Sequence, residues 1–151
     1  MSKYRAYFFG NHYISQIQHG IQAAHATAEL FLKYNGDSPE TRALYDWAIN
    51  DKTMILLNGG FQSNLINVYA VLITLCEKLK LPYAKFHEEV DALNGALTNV
   101  CVIVPEEIYG IPPTALVPID NETIYSVKDT AVTKKQAAQF LFWLLRNHRL
   151  A

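Results

Sequence analysis

The polar side chains best suited to chemistry are grouped in the first predicted helix, within the segment Gln22-Ala23-Ala24-His25-Ala26. Gln22 and His25 stand one helical turn apart, so their side chains lie on the same side of the helix. An imidazole can take up a proton or hydrogen-bond a ligand, and an amide can both donate and accept. Alanines have little volume, so the helix can lie close to a sheet with this pair at the sheet's edge. The alternative is a pair of solvated surface side chains.

The same helix carries two stripes of different polarity. Helical spacing predicts that the apolar stripe faces the core and that the polar stripe lies beside it. The predicted core-facing residues are Ile17, Ile21, Ala24, Ala28 and Phe31, and the polar ones are Gln18, Gln22, His25 and Glu29.

A second group of polar residues lies where predicted strands end. Asn11 and His12 follow the first strand, and an acidic turn over residues 87–95 separates the last two strands. Ligand sites in sheets of this kind form at strand ends. The alternative for the acidic turn is a solvated hairpin loop. Its candidate ligand-binding residues are Glu88, Glu89, Asp91 and Asn94, with Thr98 at the start of the following strand.

Strand patterns alternate with helix patterns along the chain, which predicts an α/β fold. We expect three layers: a four-stranded, mostly parallel or mixed sheet flanked by helices, with an additional C-terminal helix. The predicted strands are Tyr4–Phe9, Thr53–Leu57, Tyr83–His87 and Leu97–Val104, and the predicted helices are Ser15–Tyr34, Pro39–Asn50, one capped by Ser63 and one that begins at Thr133.

The Gly59-Gly60 pair between a strand and a helix allows two interpretations. Backbone N–H groups there can face an anion, as in phosphate-binding loops. The pair lacks the Lys-Ser/Thr of a P-loop and the third glycine of a dinucleotide fingerprint. A plain tight turn is therefore the prediction.

Size and charge limit the function classes. A chain of 151 residues, half of them hydrophobic, predicts a single domain over residues 1–151. The net charge of −1 provides no general attraction to tRNA or another long polyanion. The apolar window Val68–Leu75 is too short to span a bilayer, so no membrane partner is expected. Cys76 and Cys101 are predicted to be reduced core residues of a cytoplasmic protein.

Residues 105–151 are predicted to form an irregular wrap followed by a final helix. The prolines favour the wrap, and Thr133 with Gln136 forms a capping-box pattern. Phe142 and Trp143 widen the apolar surface of this helix, which predicts a homo-oligomer interface. The cationic end of the helix is predicted to act as a structural cap, through Arg146, His148 and Arg149.

No metal or other cofactor is predicted, because the histidines include no close pair at metal-ligand spacing. The five histidines are His12, His19, His25, His87 and His148.

The order of elements, together with the Gln22-x-x-His25-Ala26 pattern, resembles the second class of peptidyl-tRNA hydrolases over about Lys3 to Val104. The resemblance implies that family's fold and an ester-cleaving site. It assigns an acid in the turn before the last strand, with Glu88, Glu89 and Asp91 as candidates. It also assigns a threonine near that strand's start, for which Thr98 is the candidate.

One departure from the family pattern affects the expected activity. Four residues before Gln22, where the family has a lysine, this chain has Gln18, and Ile17 replaces the glycine before it. Glutamine can donate a hydrogen bond but cannot supply a positive charge. The departure favours binding without catalysis.

We therefore expect non-catalytic sequestration of a small nucleotide-type ligand. A viral protein that removes a host-defence signal is one form of this function. Carboxylates can accept from ribose hydroxyls, amides can recognise a base edge, and Tyr7, Phe9 or Tyr13 could stack on a ring. The alternative is an esterase acting on peptidyl-tRNA or a related aminoacyl ester. His25 or Asp91 would then position water, and Thr98 would donate to the developing oxyanion.

Overall fold

The structure is a computed structural model that describes residues 3–88 and 95–151. The strands are β1 (Tyr4–Gly10), β2 (Met54–Asn58), β3 (Tyr83–His87) and β4 (Leu97–Pro105). The longer helices are α1 (Gln16–Lys33), α2 (Pro39–Asp46), α3 (Gln62–Leu79) and α6 (Lys134–Arg146). The described residues also form two short helices, α4 (Glu106–Tyr109) and α5 (Asn121–Tyr125), a π-helical turn (Trp47–Asp51) and a 3₁₀ turn (Pro113–Ala115).

The four strands form one mixed sheet in the order β2-β1-β4-β3. This confirms the predicted α/β class, and of the two predicted sheet types it is the mixed one. The β1–β2 pair is parallel, and β4 runs antiparallel to both β1 and β3. The short connection between β3 and β4 allows this arrangement, since antiparallel neighbours need no crossover helix.

The central strands β1 and β4 are buried on both faces of the sheet, which is why they are rich in apolar residues. On β1, Ala6 and Phe8 point to one face, and Tyr7 and Phe9 point to the other. The first face packs against α1, α2 and the π-helical turn, and the second packs against α3 and α6. The helix residues at the two faces are Ala23, Ala26, Leu30, Leu44 and Trp47 at the first, and Leu65, Val68, Leu72, Leu141, Phe142 and Leu144 at the second.

The predicted orientation of α1 is wrong. Ile17 is 78% exposed, and Ile21, Ala24 and Ala28 are also exposed. The helix instead buries a stripe of small and polar residues one or two positions further on, because small side chains let it lie close to the sheet. The buried stripe consists of His19, Gln22, Ala23, Ala26 and Leu30.

The segment after β4 is more regular than predicted. It contains α4, α5 and a 3₁₀ turn, and the capping box of Thr133 and Gln136 is present at the start of α6. Phe142 and Trp143 are buried in the core of the same chain. The surface that predicted a homo-oligomer through α6 is therefore covered, and oligomerisation stays a prediction without that support. The extreme C-terminus pairs with β2 through an isolated bridge between Leu57 and Leu150.

Both cysteines, Cys76 and Cys101, are free and buried, as predicted. Burial raises the pKa of the Cys101 thiol to about 12 and also raises that of Cys76. Among the described residues, no helix is long and apolar enough to cross a membrane.

Candidate functional site

Most of the candidate residues lie at one end of the sheet. The carboxyl ends of β1, β2 and β3 meet the beginning of β4 there, because β4 runs opposite to its neighbours. One row of paired residues crosses the sheet at this end: Asn58, Gly10, Asn99 and Phe86. The loops that follow β1 and β2 also bond to each other, through Gly59 N–H to Gly10 O and His12 N–H to Gly60 O. Such strand ends are the common location of ligand sites in open α/β sheets.

Gln22, Glu88 and Thr98 form a polar cluster at this end, as the sequence predicts. Gln22 Nε2 donates to Glu88 Oε2 at 2.6 Å, and Thr98 Oγ1 lies 3.4 Å from Gln22 Oε1. Gln22 and Thr98 are buried, whereas Glu88 is half-buried. The cluster therefore orients a carboxylate at the rim of the protein, where it can accept from a ligand's hydroxyl or amine.

The other predicted residues of α1 are more exposed. His25 stacks on Phe86 of the edge strand, with ring centroids 4.7 Å apart and an interplanar angle of 18°. Gln18 is exposed and lies one turn before Gln22, with its backbone N–H bonded to Ser15 Oγ. The structure thus brings Gln22 into the polar cluster, places His25 on the neighbouring ring and leaves the side chain of Gln18 in solvent.

Asn11 and His12 lie in the loop after β1, next to the cluster. The Asn11 N–H donates to Thr98 O at 3.1 Å, and His12 Nδ1 lies 2.9 Å from Asn58 Nδ2. Asn58 Oδ1 accepts from Gly60 N–H, which orients this amide so that Nδ2 donates to the histidine. Neutral His12 therefore carries its proton on Nε2, which is available to donate to a ligand.

The His12–Asn58 pair separates two adjoining cavities, and each cavity is lined by both residues. The smaller, which we call the α1 cavity, has a volume of about 180 Å³ and is also lined by Gly10, Asn11 and His19. The larger, which we call the α3 cavity, has a volume of about 310 Å³. Its other lining residues are Gly60, Phe61, Asn64, Asn121, Asn147, His148 and Arg149.

Two buried polar side chains that the sequence did not single out lie at this end of the sheet: His19 lines the α1 cavity, and Asn99 pairs with Gly10 on the neighbouring strand. His19 is 4% exposed and Asn99 is fully buried. His19 Nε2 and both polar atoms of the Asn99 amide lack a hydrogen-bond partner among the described residues. Burial lowers the pKa of His19, while the backbone at Phe8 opposes the shift. Leaving such groups unpaired costs about 1–3 kcal/mol each. Of the two residues, His19 lines the α1 cavity, where a bound molecule could satisfy it.

The His19 ring packs directly against Gly10. A glycine at this position is the sequence signal that could have pointed to a closely packed side chain. A Cβ added at Gly10 would lie 2.0 Å from His19 Nε2, so only glycine leaves room for the ring. Gly10 ends a strand whose residues on this face are Ala6 and Phe8. A glycine at the end of a buried strand indicates close approach of another group, although nothing in the sequence names that group.

The α3 cavity is held in shape by a network around Asn64. Asn64 Nδ2 donates to Gly59 O at 2.6 Å and lies 3.0 Å from His148 Nε2, and Asn64 Oδ1 accepts from Tyr125. His148 Nδ1 donates to Leu144 O at 2.7 Å, so neutral His148 uses both ring nitrogens. Burial lowers its pKa, which favours this neutral form. His148 therefore caps the helix end as predicted, but through a hydrogen bond of its neutral ring rather than as a cation, and its second contact with Asn64 was missed.

The loop before α3 forms the predicted tight turn. Gly60 has a φ of +74°, and its N–H is bonded to Asn58 Oδ1. The prediction that Ser63 caps α3 is wrong, because the N-cap is Phe61 and it makes no side-chain cap. The first intrahelical bonds run from Asn64 and Leu65 to Phe61 O. The N-terminus of α3 thus reaches the wall of the α3 cavity without a capping side chain.

Exposed aromatic rings stand at the mouth of the two cavities. Tyr13 is 81% exposed, and its ring stacks on Phe61 with centroids 5.0 Å apart. His12 contacts both rings edge to face. Of the three aromatics that the sequence suggested for stacking, Tyr13 is accessible, whereas Tyr7 and Phe9 are buried in the core. The stacking prediction is therefore wrong for Tyr7 and Phe9, and Phe61 was missed.

A third cavity, of about 400 Å³, lies along the edge strand β3 and is lined by Lys33, Lys85 and Tyr69 among others. Lys33 Nζ donates to Tyr83 O, and Lys85 Nζ lies 4.6 Å from the centre of the Tyr69 ring. Both ammonium groups are thus turned toward α3 and the outer edge of β3. Neither takes the place of the family's lysine beside Gln22.

Three predicted site residues, Glu89, Asp91 and Asn94, lie outside the described residues. Within the described ranges, no group of three or more His, Cys, Asp and Glu residues is placed to hold a metal ion.

No protein-family model matches this chain, and no curated protein matches it.

Proposed function

We propose that this chain binds a small nucleotide-type ligand at the carboxyl end of its sheet and does not turn it over. The observation that carries the proposal is the buried, unpartnered side chain of His19, which lines the α1 cavity. A protein gains no stability from buried polar atoms without partners, whereas a ligand that pairs with them gains affinity and specificity.

The surroundings supply the other contacts that a nucleotide needs. The rings of Tyr13 and Phe61 offer a stacking surface for a base. Glu88, held by Gln22, can accept from ribose hydroxyls or an exocyclic amine. These three features lie at one end of one sheet, spread from the edge strand β2 to the edge strand β3. The proposal requires an elongated ligand that reaches across this end.

The fold proposal that accompanies this function is a divergent domain of the second peptidyl-tRNA hydrolase class. The order of elements and the placement of Gln22, Glu88 and Thr98 in one cluster support it. Sequestration rather than cleavage is supported by Gln18, which is uncharged and exposed. Thr98 supports it as well, because its hydroxyl is buried and lies within reach of Gln22 Oε1 and Phe86 O rather than of a cavity. Removal of a signalling nucleotide by a viral protein is a biological role of this kind.

Native mass spectrometry of protein purified gently from cells, followed by denaturation to release bound molecules, tests the proposal. We expect a co-purifying nucleotide derivative at a fixed stoichiometry. Calorimetry with the four ribonucleoside 5′-monophosphates gives an independent measurement. An empty protein that binds none of them at micromolar concentration would remove the proposal. Turnover of peptidyl-tRNA or an aminoacyl ester by the same preparation would replace it with the hydrolase alternative.

A further inference from the structure

We infer that the α3 cavity binds the phosphoryl group of an anionic ligand, with Arg149 as the charged partner. The inference rests on the proposed function, because the phosphoryl group would belong to the molecule whose remaining parts occupy the α1 cavity and the aromatic mouth. The inference specifies two further properties of the ligand: it carries a negative charge, and its charged end lies on the β2 side of the sheet.

The charged and titratable residues that line the α3 cavity are all basic. Within the described part of the chain, its lining includes Arg149 and two histidines but no aspartate or glutamate. Arg149 is exposed and forms no ion pair among the described residues. Its backbone carbonyl accepts from Asn58 N–H at 2.7 Å, which anchors the base of this side chain beside the cavity. An unpaired guanidinium with a fixed base is suited to bidentate contact with a phosphate.

Further donors approach the cavity from other directions. His12 presents its protonated Nε2, because Nδ1 is occupied by Asn58. The α3 helix begins at the cavity wall without a capping side chain, so the positive end of its dipole favours an anion there. A tetrahedral phosphoryl group carries oxygens that can accept from several directions at once, which a flat carboxylate does less well.

An independent observation points to a ligand in the adjoining α1 cavity. The α3 cavity adjoins the α1 cavity at the His12–Asn58 pair, and the α1 cavity is lined by His19, a buried side chain with an unpartnered Nε2. One elongated molecule that passes over His12 can therefore satisfy His19 with a polar group and place its phosphoryl group near Arg149. The carboxylate of Glu88 and the cation of Arg149 would then face opposite ends of that molecule.

The test compares the wild-type chain with Arg149→Gln and with Arg42→Gln. Arg42 is the control, because it is an exposed arginine of α2 that pairs with Asp37 and lines neither cavity. Inorganic pyrophosphate, observed by phosphorus NMR, probes the anion site alone. Calorimetry with each ribonucleoside and its 5′-monophosphate probes the complete site. Thermal unfolding of all three proteins verifies that the substitutions leave the fold intact.

We expect pyrophosphate resonances to broaden with wild type and Arg42→Gln but not with Arg149→Gln. We also expect a nucleoside 5′-monophosphate to bind roughly ten- to hundredfold more tightly than its nucleoside, and this ratio to approach one in Arg149→Gln. Equal binding of nucleoside and nucleotide, unaffected by Arg149→Gln, would overturn the inference and leave the proposed function standing. Pyrophosphate binding that depends on Arg149, without any binding of nucleosides or nucleotides, would keep the anion site and overturn the proposed function. Failure of every probe to bind would overturn both.

Discussion

Gln22 Nε2 donates to Glu88 Oε2 across 2.6 Å, and this bond joins the middle of α1 to the residue that follows β3. The two residues are 66 positions apart in the chain. The bond leaves the second oxygen of Glu88 for other partners, so the pair fixes a carboxylate at the sheet end.

The first prediction concerns that carboxylate. Glu88→Gln keeps the size of the side chain and removes its charge, so a ligand that donates to Glu88 loses a charge-assisted hydrogen bond. We expect ligand affinity to fall by roughly tenfold, and the melting temperature to change little because Glu88 is half-buried. Calorimetry with the co-purified nucleotide measures the affinity. Glu77→Gln, at an exposed position on α3, is the control, and equal affinities of the two variants would contradict a role for Glu88.

A steric prediction follows from the contact between Gly10 and His19. Gly10→Ala would place a methyl group 2.0 Å from His19 Nε2, so the ring or the strand must move. We expect a loss of about 1–3 kcal/mol in the free energy of unfolding, measured by urea denaturation. In the double variant Gly10→Ala/His19→Ala, the cost should be smaller than the sum of the two single changes.

Gly20→Ala provides the matched control for this prediction. Gly20 is exposed within α1, and a Cβ added there meets nothing within 4 Å. This change should stabilise the protein by about 0.5–1 kcal/mol, because alanine loses less backbone entropy in a helix. An unchanged or raised stability of Gly10→Ala would contradict the His19 contact as the source of its cost.

Acid should destabilise the fold through two histidines. Burial lowers the pKa of His19 and of His148 in the folded protein, so the unfolded chain binds protons at a higher pH than the folded one. Their contribution is complete above the unfolded pKa of about 6.5 and is lost as the pH falls toward the folded values. Protonation of His148 would also oppose the donor of Asn64 that faces it.

Melting temperatures measured between pH 7.5 and pH 5 test this expectation. The wild type should melt at progressively lower temperature below about pH 6.5. His148→Gln should show a shallower dependence on pH, although its melting temperature at pH 7.5 should be lower because the bonds to Leu144 and Asn64 change. An identical slope in the two proteins would exclude His148 as a source of the acid sensitivity.

The aromatic mouth gives a prediction about binding alone. Tyr13 and Phe61 are 81% and 52% exposed, so their removal should leave the core intact. If a base stacks on these rings, Phe61→Ala should weaken nucleotide binding by about 1–3 kcal/mol. Fluorescence titration of Tyr13→Ala and Phe61→Ala measures the loss. Leu32→Ala, at another exposed apolar position, is the control and should bind as the wild type does.

Short-range patterns predicted much of the architecture because each pattern has a local cause. The alternation of strands and helices, the capping box at Thr133 and the α/β class all follow from signals within a few residues. Gln22, Glu88 and Thr98 could be selected because strand ends and a polar helix stripe are visible in the sequence. Their hydrogen bonds could not be predicted, since those depend on how closely α1 approaches the sheet.

The orientation of α1 shows where sequence patterns fail. Apolar periodicity favoured burial of Ile17 and Ile21, yet the helix buries His19 and Gln22 instead. Ala23 and Ala26 pack on the sheet in place of the larger side chains. Space beside Gly10, rather than hydrophobicity, admits the His19 ring.

The sequence by itself determined the order and type of the main elements, the reduced and buried cysteines, and a polar group at the strand ends. Only the tertiary structure decided that Asn58, Asn64, His148 and Arg149 join that group, because they come from distant parts of the chain and have no common pattern. The return of the C-terminus to β2 and the sharing of His12 between two cavities are consequences of packing. Packing depends on how the shapes and volumes of side chains fit together in three dimensions, and a local sequence pattern does not predict that fit.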